Sequence, residues 1–174
     1  MRNTNNINEY FNDIAIRNEQ QSNLLRQFGK PIMTLTLNIP SSLAKEKYTD
    51  IIFHDALDAI KAKVSELNFD ILTRQITHSA LGSEALFVMD SQSANDIKKH
   101  MMEIERTHPL GTLFNLDVMN HQGKMISRKS CNMIPRKCPI CSQSAQSCRR
   151  NNRHSLEEIQ TMILSLSDKH VSPI

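Results

Sequence analysis

The chain has 174 residues, with 21 Lys or Arg against 18 Asp or Glu and a formal net charge of +3. This length suffices for one domain with its own core, and the apolar runs are too short to span a bilayer. The polar, acidic beginning of the chain has neither the apolar stretch of a secretory signal nor the Arg-rich character of a transit peptide. We therefore expect a cytoplasmic protein without a membrane partner.

The first part of the chain predicts a helix, a strand and a second helix. Apolar residues recur at three-to-four spacing over residues 7–28, and Gly29 and Pro31 end that helix. Alternation over Ile32–Pro40 predicts a strand. An amphipathic stripe over Thr49–Leu67 predicts the second helix.

The rest of the chain alternates strands and helices with clear boundary signals. Two capping-box patterns, each beginning with a serine, mark the starts of the two helices. A turn at Gly82 and Ser83 separates the second and third predicted strands of the chain. The predicted elements are strands over Phe69–Thr77 and Glu84–Asp90, a helix from Ser93 to about Arg106, a strand over Thr112–Asn120, a hairpin strand over Met125–Arg128 and a helix from Ser155 to about Ser167.

This order of elements predicts a single α+β domain. A helix followed by β-α-β-β-α-β corresponds to the split βαβ, ferredoxin-like arrangement. It places Asp117 on the last core strand, with its side chain on one face of the sheet. The predicted layout of residues 1–174 is an N-terminal helix (1–30), an α+β core (31–128), a basic Cys-rich loop (129–154) and a C-terminal helix (155–168).

Charge is strongly segregated along the sequence. His121 to His154 contains eight Lys or Arg and no acidic residue, whereas the remaining residues carry 13 basic and 18 acidic side chains, a balance of −5. Such clustering favours a site for a highly anionic ligand, although charge runs are often solvated loops and a basic loop also suits RNA. Because no aromatic residue lies between Met119 and Ile174, stacking surfaces for bases are missing, and we expect no nucleic-acid partner.

All four cysteines lie within 18 residues, and three of them precede a histidine at metal-ligand spacing. Cys138, Cys141, Cys148 and His154 form C-x2-C-x6-C-x5-H, which fits a structural zinc site. One alternative is a small buried thiol cluster, with His154 free to contact phosphates or to act as a general base. Two local disulfides are the weaker interpretation for a chain without a secretion signal.

Three motifs together resemble one known family. They are HPLG-x-LF-x-LDV at residues 108–118, ISRK at 126–129, and PRKC-x-x-C-(six residues)-C-x-R-(four residues)-HS-x-EE at 135–158. The combined pattern resembles the apo-citrate lyase phosphoribosyl-dephospho-CoA transferases, whose core is nucleotidyltransferase-like. The resemblance implies transfer of a phosphoribosyl-dephospho-CoA group from its triphosphoribosyl precursor to a serine of the citrate lyase acyl carrier protein, with release of pyrophosphate.

The resemblance also assigns roles to individual residues. The family has an Asp-x-Asp pair on the strand, which here is Asn115 and Asp117, so Asp117 is expected to bind Mg²⁺ and Asn115 to assist without a charge. Thr112 and Gln20 stand where the family tends to have arginine. Independently of the resemblance, a guanidinium group binds phosphate oxygens bidentately, so the expected phosphate-binding residues are Arg128, Arg136, Arg149 and Arg153, with Lys137 as a less specific candidate. An alternative function is a binding module for the carrier protein or a CoA-like ligand.

Overall fold

The structure, a computed structural model, describes residues 4–79 and 81–171. Its helices and strands follow the predicted order, except that one short helix is added and the predicted hairpin strand is not formed. The described helices are α1 (Thr4–Phe28), α2 (Lys47–Glu66), α3 (Ala94–Thr107), α4 (Ala145–Arg150) and α5 (Leu156–Val171), and the described strands are β1 (Ile32–Leu37), β2 (Asp70–Ser79), β3 (Gly82–Asp90) and β4 (Phe114–Met119). Among the described helices, none combines the length and the hydrophobicity that a membrane-spanning segment requires.

The four described strands form one antiparallel sheet in the order β2-β3-β1-β4. β3 is inserted between β1 and β2, which is the split βαβ connection. The predicted α+β class is therefore confirmed. Within the described part of the chain, β4 is an edge strand whose outer backbone groups have no neighbouring strand.

Each face of the sheet is covered by helices, but to different extents. Met33 and Leu35 point to the main core, where they pack with apolar residues of α2, α3 and α5. Ile32 points to the opposite face and packs with Leu24 of α1 and Met119 of β4. Because β1 and β4 continue beyond this smaller cluster with polar residues, part of the face that α1 covers remains polar.

Boundaries differ from the predictions where the backbone leaves the sheet. β1 ends at Leu37 rather than Pro40, and β3 already begins at Gly82, paired with Ser79. β4 begins at Phe114 because Gly111–Leu113 form a 3-10 turn. A Cβ on Gly111 would lie only 2.6–2.8 Å from backbone atoms of α3, so only glycine allows this close approach.

The predicted hairpin strand over Met125–Arg128 is reduced to a single bridge. The turn forms, with Gly123 at φ 79°, but pairing stops after the Met119–Met125 bridge and one hydrogen bond from Ile126 N to Val118 O (2.8 Å). The chain then leaves the sheet, and the Arg128 side chain pairs with a glutamate of α3. The helix α4 within the basic loop is a feature that the sequence analysis did not predict.

Candidate active site

A strip of four polar side chains runs along the paired strands β1 and β4. Thr34 lies opposite Asp117, and Thr36 lies opposite Asn115. Directly opposed residues of an antiparallel pair point to the same face, and Gln21 of α1 donates to Thr34 Oγ1 (3.1 Å). The polar strip (Thr34, Thr36, Asn115 and Asp117) therefore lies on the face of the sheet that α1 partly covers.

Asp117 is the only carboxylate in the polar strip, and its side chain is 41% exposed. Its Oδ2 accepts a hydrogen bond from Asn115 Nδ2 (2.8 Å), which also donates to Thr36 Oγ1 (3.0 Å). Since each carboxylate oxygen can accept more than one hydrogen bond, Asp117 retains free acceptor positions. The alternation of β4 thus places Asp117 on one face of the sheet, as the sequence predicted, and the structure leaves its side chain partly exposed to solvent.

A lysine from the opposite side of the sheet reaches Asp117. Lys98 of α3 is only 4% exposed. Its Nζ donates to Leu116 O (2.7 Å) and lies 3.4 Å from Asp117 Oδ1. Because α3 packs on the main core, the Lys98 side chain passes around the free edge of β4 to reach the carboxylate.

Glu105 lies two helical turns after Lys98 on α3 and places a buried carboxylate against the same edge of β4. Its Oε1 accepts from Leu116 N (2.9 Å) and from Arg136 Nη2 (2.6 Å), and its Oε2 accepts from Arg128. Arg136 also donates to Phe114 O (2.8 Å). Arg128 and Arg136, both predicted to bind phosphate, thus anchor the basic segment (residues 121–154) to α3 and β4. These charged side chains also cover the outer edge of β4.

The other predicted phosphate-binding residues are exposed. Lys137, Arg149 and Arg153 form no ion pair with any residue of 4–79 or 81–171. Arg149 donates to the side chain of Asn38, the residue that follows β1. This contact places the Arg149 guanidinium, which has no acidic partner among the described residues, beside the end of β1 next to the polar strip.

The Cys/His cluster (Cys138, Cys141, Cys148 and His154) is assembled as the spacing predicts. Its four ligand atoms all lie within 4.8 Å of one another. The closest pairs are Cys141 Sγ with Cys148 Sγ (3.4 Å) and Cys138 Sγ with His154 Nε2 (3.3 Å). Zinc–sulfur bonds of about 2.3 Å in a tetrahedron require sulfur atoms about 3.8 Å apart, so this donor set fits a tetrahedral metal ion.

Local backbone geometry brings the cluster together. Ser142 adopts a left-handed conformation (φ 59°), and its N–H donates to Cys138 O (2.9 Å), which closes a tight turn around the first two cysteines. Helix α4 then carries Cys148. A helix of six residues is not stable by itself, so the side-chain cluster and the hydrogen bond from Arg153 N to Cys148 O (3.0 Å) hold it.

The thiols of the cluster have different acidities. A hydrogen bond from the Gln143 backbone lowers the pKa of Cys141 to about 7. Burial, followed by the neighbouring thiols, raises the pKa of Cys148 to about 11. A bound cation would stabilise the thiolate form of both residues. His154 lies in this cluster, and its Nε2 faces Cys138, which suits a ligand better than a general base for the polar strip.

Sequence reasoning missed Lys98, Glu105 and Gln21. Lys98 and Glu105 lie seven residues apart, beside the buried Met101 and Met102, so charged residues interrupt an apolar stripe. This interruption of an apolar stripe by charged residues was the sequence signal that could have identified Lys98 and Glu105. Thr112 lies in the 3-10 turn before β4, and Gln21 rather than Gln20 is the α1 residue that reaches the strip.

Known proteins provide an independent comparison. A family model described as apo-citrate lyase phosphoribosyl-dephospho-CoA transferase matches residues 6–170. A Vibrio cholerae serotype O1 protein named probable apo-citrate lyase phosphoribosyl-dephospho-CoA transferase is 32% identical over 148 residues, which cover 85% of this chain and 83% of that protein. A Shigella boydii protein with the same name, without "probable", is 29% identical over 143 residues, covering 82% and 78%.

A longer relative matches over the same region. The Haemophilus influenzae protein named CitXG is 33% identical over 150 residues. These residues cover 86% of this chain but only about a third (32%) of that protein. The match over residues 6–170 confirms the family resemblance of the sequence motifs.

Proposed function

We propose a specific reaction for this chain, which belongs to the family of apo-citrate lyase phosphoribosyl-dephospho-CoA transferases. The chain transfers the phosphoribosyl-dephospho-CoA group to a serine of the apo acyl carrier protein of citrate lyase. The serine Oγ forms a bond to the α-phosphorus of the triphosphoribosyl precursor, the bond to the bridging oxygen breaks, pyrophosphate leaves and the hydroxyl proton passes to water. The supporting observation is the exposed Asp117 in a polar strip beside a segment that has only basic charges.

The residues around the polar strip have different roles in the proposed reaction. Phosphoryl transfer depends mainly on positioning and on neutralising the phosphate charge. Asp117, with free acceptor positions and with the Asn115 amide beside it, fits an oxygen-ligand site for Mg²⁺, which would neutralise phosphate charge when bound. Arg149, Arg153 and Lys137 are exposed and suit the phosphates of the nucleotide. Arg128 and Arg136 position the basic segment through Glu105.

Intact-mass measurement of the carrier protein tests the reaction. The purified chain, the apo carrier, triphosphoribosyl-dephospho-CoA and Mg²⁺ are expected to give a carrier heavier by one prosthetic group. Asp117→Asn is expected to lower the rate by about a thousandfold, because it removes the charged ligand. Asp58→Asn on the exposed surface of α2 is the matched control and should react normally. Carrier binding without a mass gain would favour the binding-module alternative.

We further propose that the Cys/His cluster holds structural Zn²⁺. Three thiolates and one imidazole form a donor set that zinc prefers. Protein purified without any nickel resin should contain about one equivalent of zinc by elemental analysis. Cys148→Ser should reduce that content strongly, whereas Cys131→Ser, outside the cluster, should not. Less than about a tenth of an equivalent in the wild type contradicts the assignment.

We also place the reaction in the cytoplasm. The four cysteines form no disulfide in the structure, although Cys141 and Cys148 have their sulfur atoms 3.4 Å apart. A reducing compartment keeps such closely spaced cysteines available as metal ligands. The basic surface around α4 is suited to an acidic carrier protein, since complementary charges accelerate and orient docking.

A further inference from the structure

We propose that Lys98 is a positioning residue for Asp117. Lys98 orients the Asp117 carboxylate and also weakens the binding of a divalent cation to that carboxylate. This inference rests on the proposed function, since it concerns the same carboxylate. It adds a residue outside the three sequence motifs, contributed by the helix on the other side of the sheet.

The environment of Lys98 differs sharply from that of its neighbour on α3. Lys98 is 4% exposed, whereas the Lys99 side chain is 55% exposed and pairs with Asp96 one turn away (3.1 Å). Burying an ammonium group is unfavourable unless acceptors surround it. Lys98 has two acceptors, Leu116 O at 2.7 Å and Asp117 Oδ1 at 3.4 Å.

The two acceptors give the lysine a defined geometry at the site. The short bond to Leu116 O fixes the ammonium against the backbone of β4, one residue before Asp117. From there it holds Oδ1, while Asn115 holds Oδ2 (2.8 Å). Both carboxylate oxygens are therefore restrained, each by a different partner, while the side chain remains partly exposed.

The same charge has an opposing effect on metal binding. A fixed positive charge about 3.4 Å from the carboxylate holds it in place but repels a divalent cation that approaches it. Removing the ammonium should therefore strengthen cation binding and, because the carboxylate loses its restraint, slow the transfer. A residue that only stabilised the fold would not produce changes of opposite sign.

Titration with Mn²⁺, which is paramagnetic and a close substitute for Mg²⁺, tests the proposal on the full chain. Lys98→Met is expected to lower the Mn²⁺ dissociation constant by about tenfold, whereas Lys99→Met should leave it unchanged. Lys98→Gln, which keeps a donor for Leu116 O without the charge, should behave like Lys98→Met, and Lys98→Arg like the wild type. Asp117→Asn in the Lys98→Met background should remove the gain.

Activity provides a second readout. Lys98→Met should lower kcat by about tenfold and reduce the Mg²⁺ concentration required for half-maximal rate, with little change in KM for the nucleotide. A folded Lys98→Gln or Lys98→Met protein that binds Mn²⁺ no more tightly than the wild type overturns the proposal. The Mn²⁺ titration uses neither carrier nor nucleotide, so a failure of the transfer reaction itself would leave this result standing.

Discussion

The Cys/His cluster takes its four side chains from residues 138–154, whereas the polar strip and its charged edge combine α1, β1, α3 and β4. In the cluster, a two-residue cysteine gap, a left-handed Ser142 and a six-residue helix define the geometry locally. In the strip, the geometry depends on the register of β1 with β4 and on the packing of α3. A local motif can be identified from spacing alone, while a site built across a sheet requires the tertiary fold.

Glu105 connects these two regions. It binds Leu116 N of the strip's strand and two arginines of the basic segment, one of which, Arg136, precedes Cys138 by two residues. The locally defined cluster is thereby fixed to the sheet by ion pairs centred on the buried Glu105 carboxylate. If the network fails, the cluster and the strip should lose their relative position even where each retains its own structure.

The largest expected effect follows from breaking this connection. Glu105→Ala should lower the free energy of unfolding by about 3–5 kcal/mol, because two guanidinium groups and the buried Leu116 N–H lose their partner. Urea denaturation measures the loss. Glu103→Ala, on the same helix but 44% exposed, is the control, with an expected cost below about 1 kcal/mol. Equal costs for the two variants would show that the regions are not joined through Glu105.

Much of this arrangement followed from the sequence, but the connecting residues did not. Alternation along β4 placed Asp117 on a sheet face, and spacing placed Cys138, Cys141 and Cys148 together. The roles of Lys98 and Glu105 were not predicted, because a sequence does not show which edge of the sheet remains free. The strand order β2-β3-β1-β4 is what leaves β4 at an edge beside α3. Similarly, Arg128 was predicted to bind phosphate, because no sequence pattern indicated that it pairs with the buried Glu105.

Close backbone packing at Gly111 should produce the next largest effect. Gly111→Ala would place a Cβ 2.6 Å from Glu105 O and 2.7 Å from Ile104 O, so α3 and the start of β4 must separate. We expect a loss of about 2–3 kcal/mol in the free energy of unfolding. Gly29→Ala is the control, since its Cβ meets no atom within 4 Å and the cost of its positive φ is about 1 kcal/mol. A smaller loss at Gly111 than at Gly29 would contradict close packing as the reason for glycine in this motif.

Restoring a second carboxylate to the strip should have a smaller effect that depends on the cation. Asn115→Asp removes the hydrogen bonds from Asn115 to Asp117 and Thr36 and adds a like charge, so stability without metal should fall by about 1 kcal/mol. The added ligand should tighten Mg²⁺ binding by about tenfold and offset that loss. Thermal melts without and with Mg²⁺ measure the loss of stability and the stabilisation by the bound cation, respectively. An unchanged response to Mg²⁺ would show that the strip is not the metal site.

The smallest expected effect concerns pH and lies on the helical side of the sheet, away from both regions. Burial, and secondarily His170, lower the pKa of His108 below its ordinary value. His108 Nδ1 accepts a hydrogen bond from Leu110 N (3.1 Å), and His170 pairs with Asp55 (2.9 Å). Because the folded pKa is lowered, neutral His108 contributes stability above the unfolded value of about 6.5, and this contribution is lost as pH falls towards the folded pKa.

His108→Gln should therefore flatten the decline in Tm between about pH 7.5 and pH 5.5 relative to the wild type. His121→Gln, at an exposed position, is the matched control and should retain the wild-type decline. The zinc proposed for the Cys/His cluster must be followed in the same samples, because protonation of the thiolates would also release metal as pH falls. A decline that is equally steep in His108→Gln and in the wild type, at constant zinc content, would assign the acid sensitivity to groups other than His108.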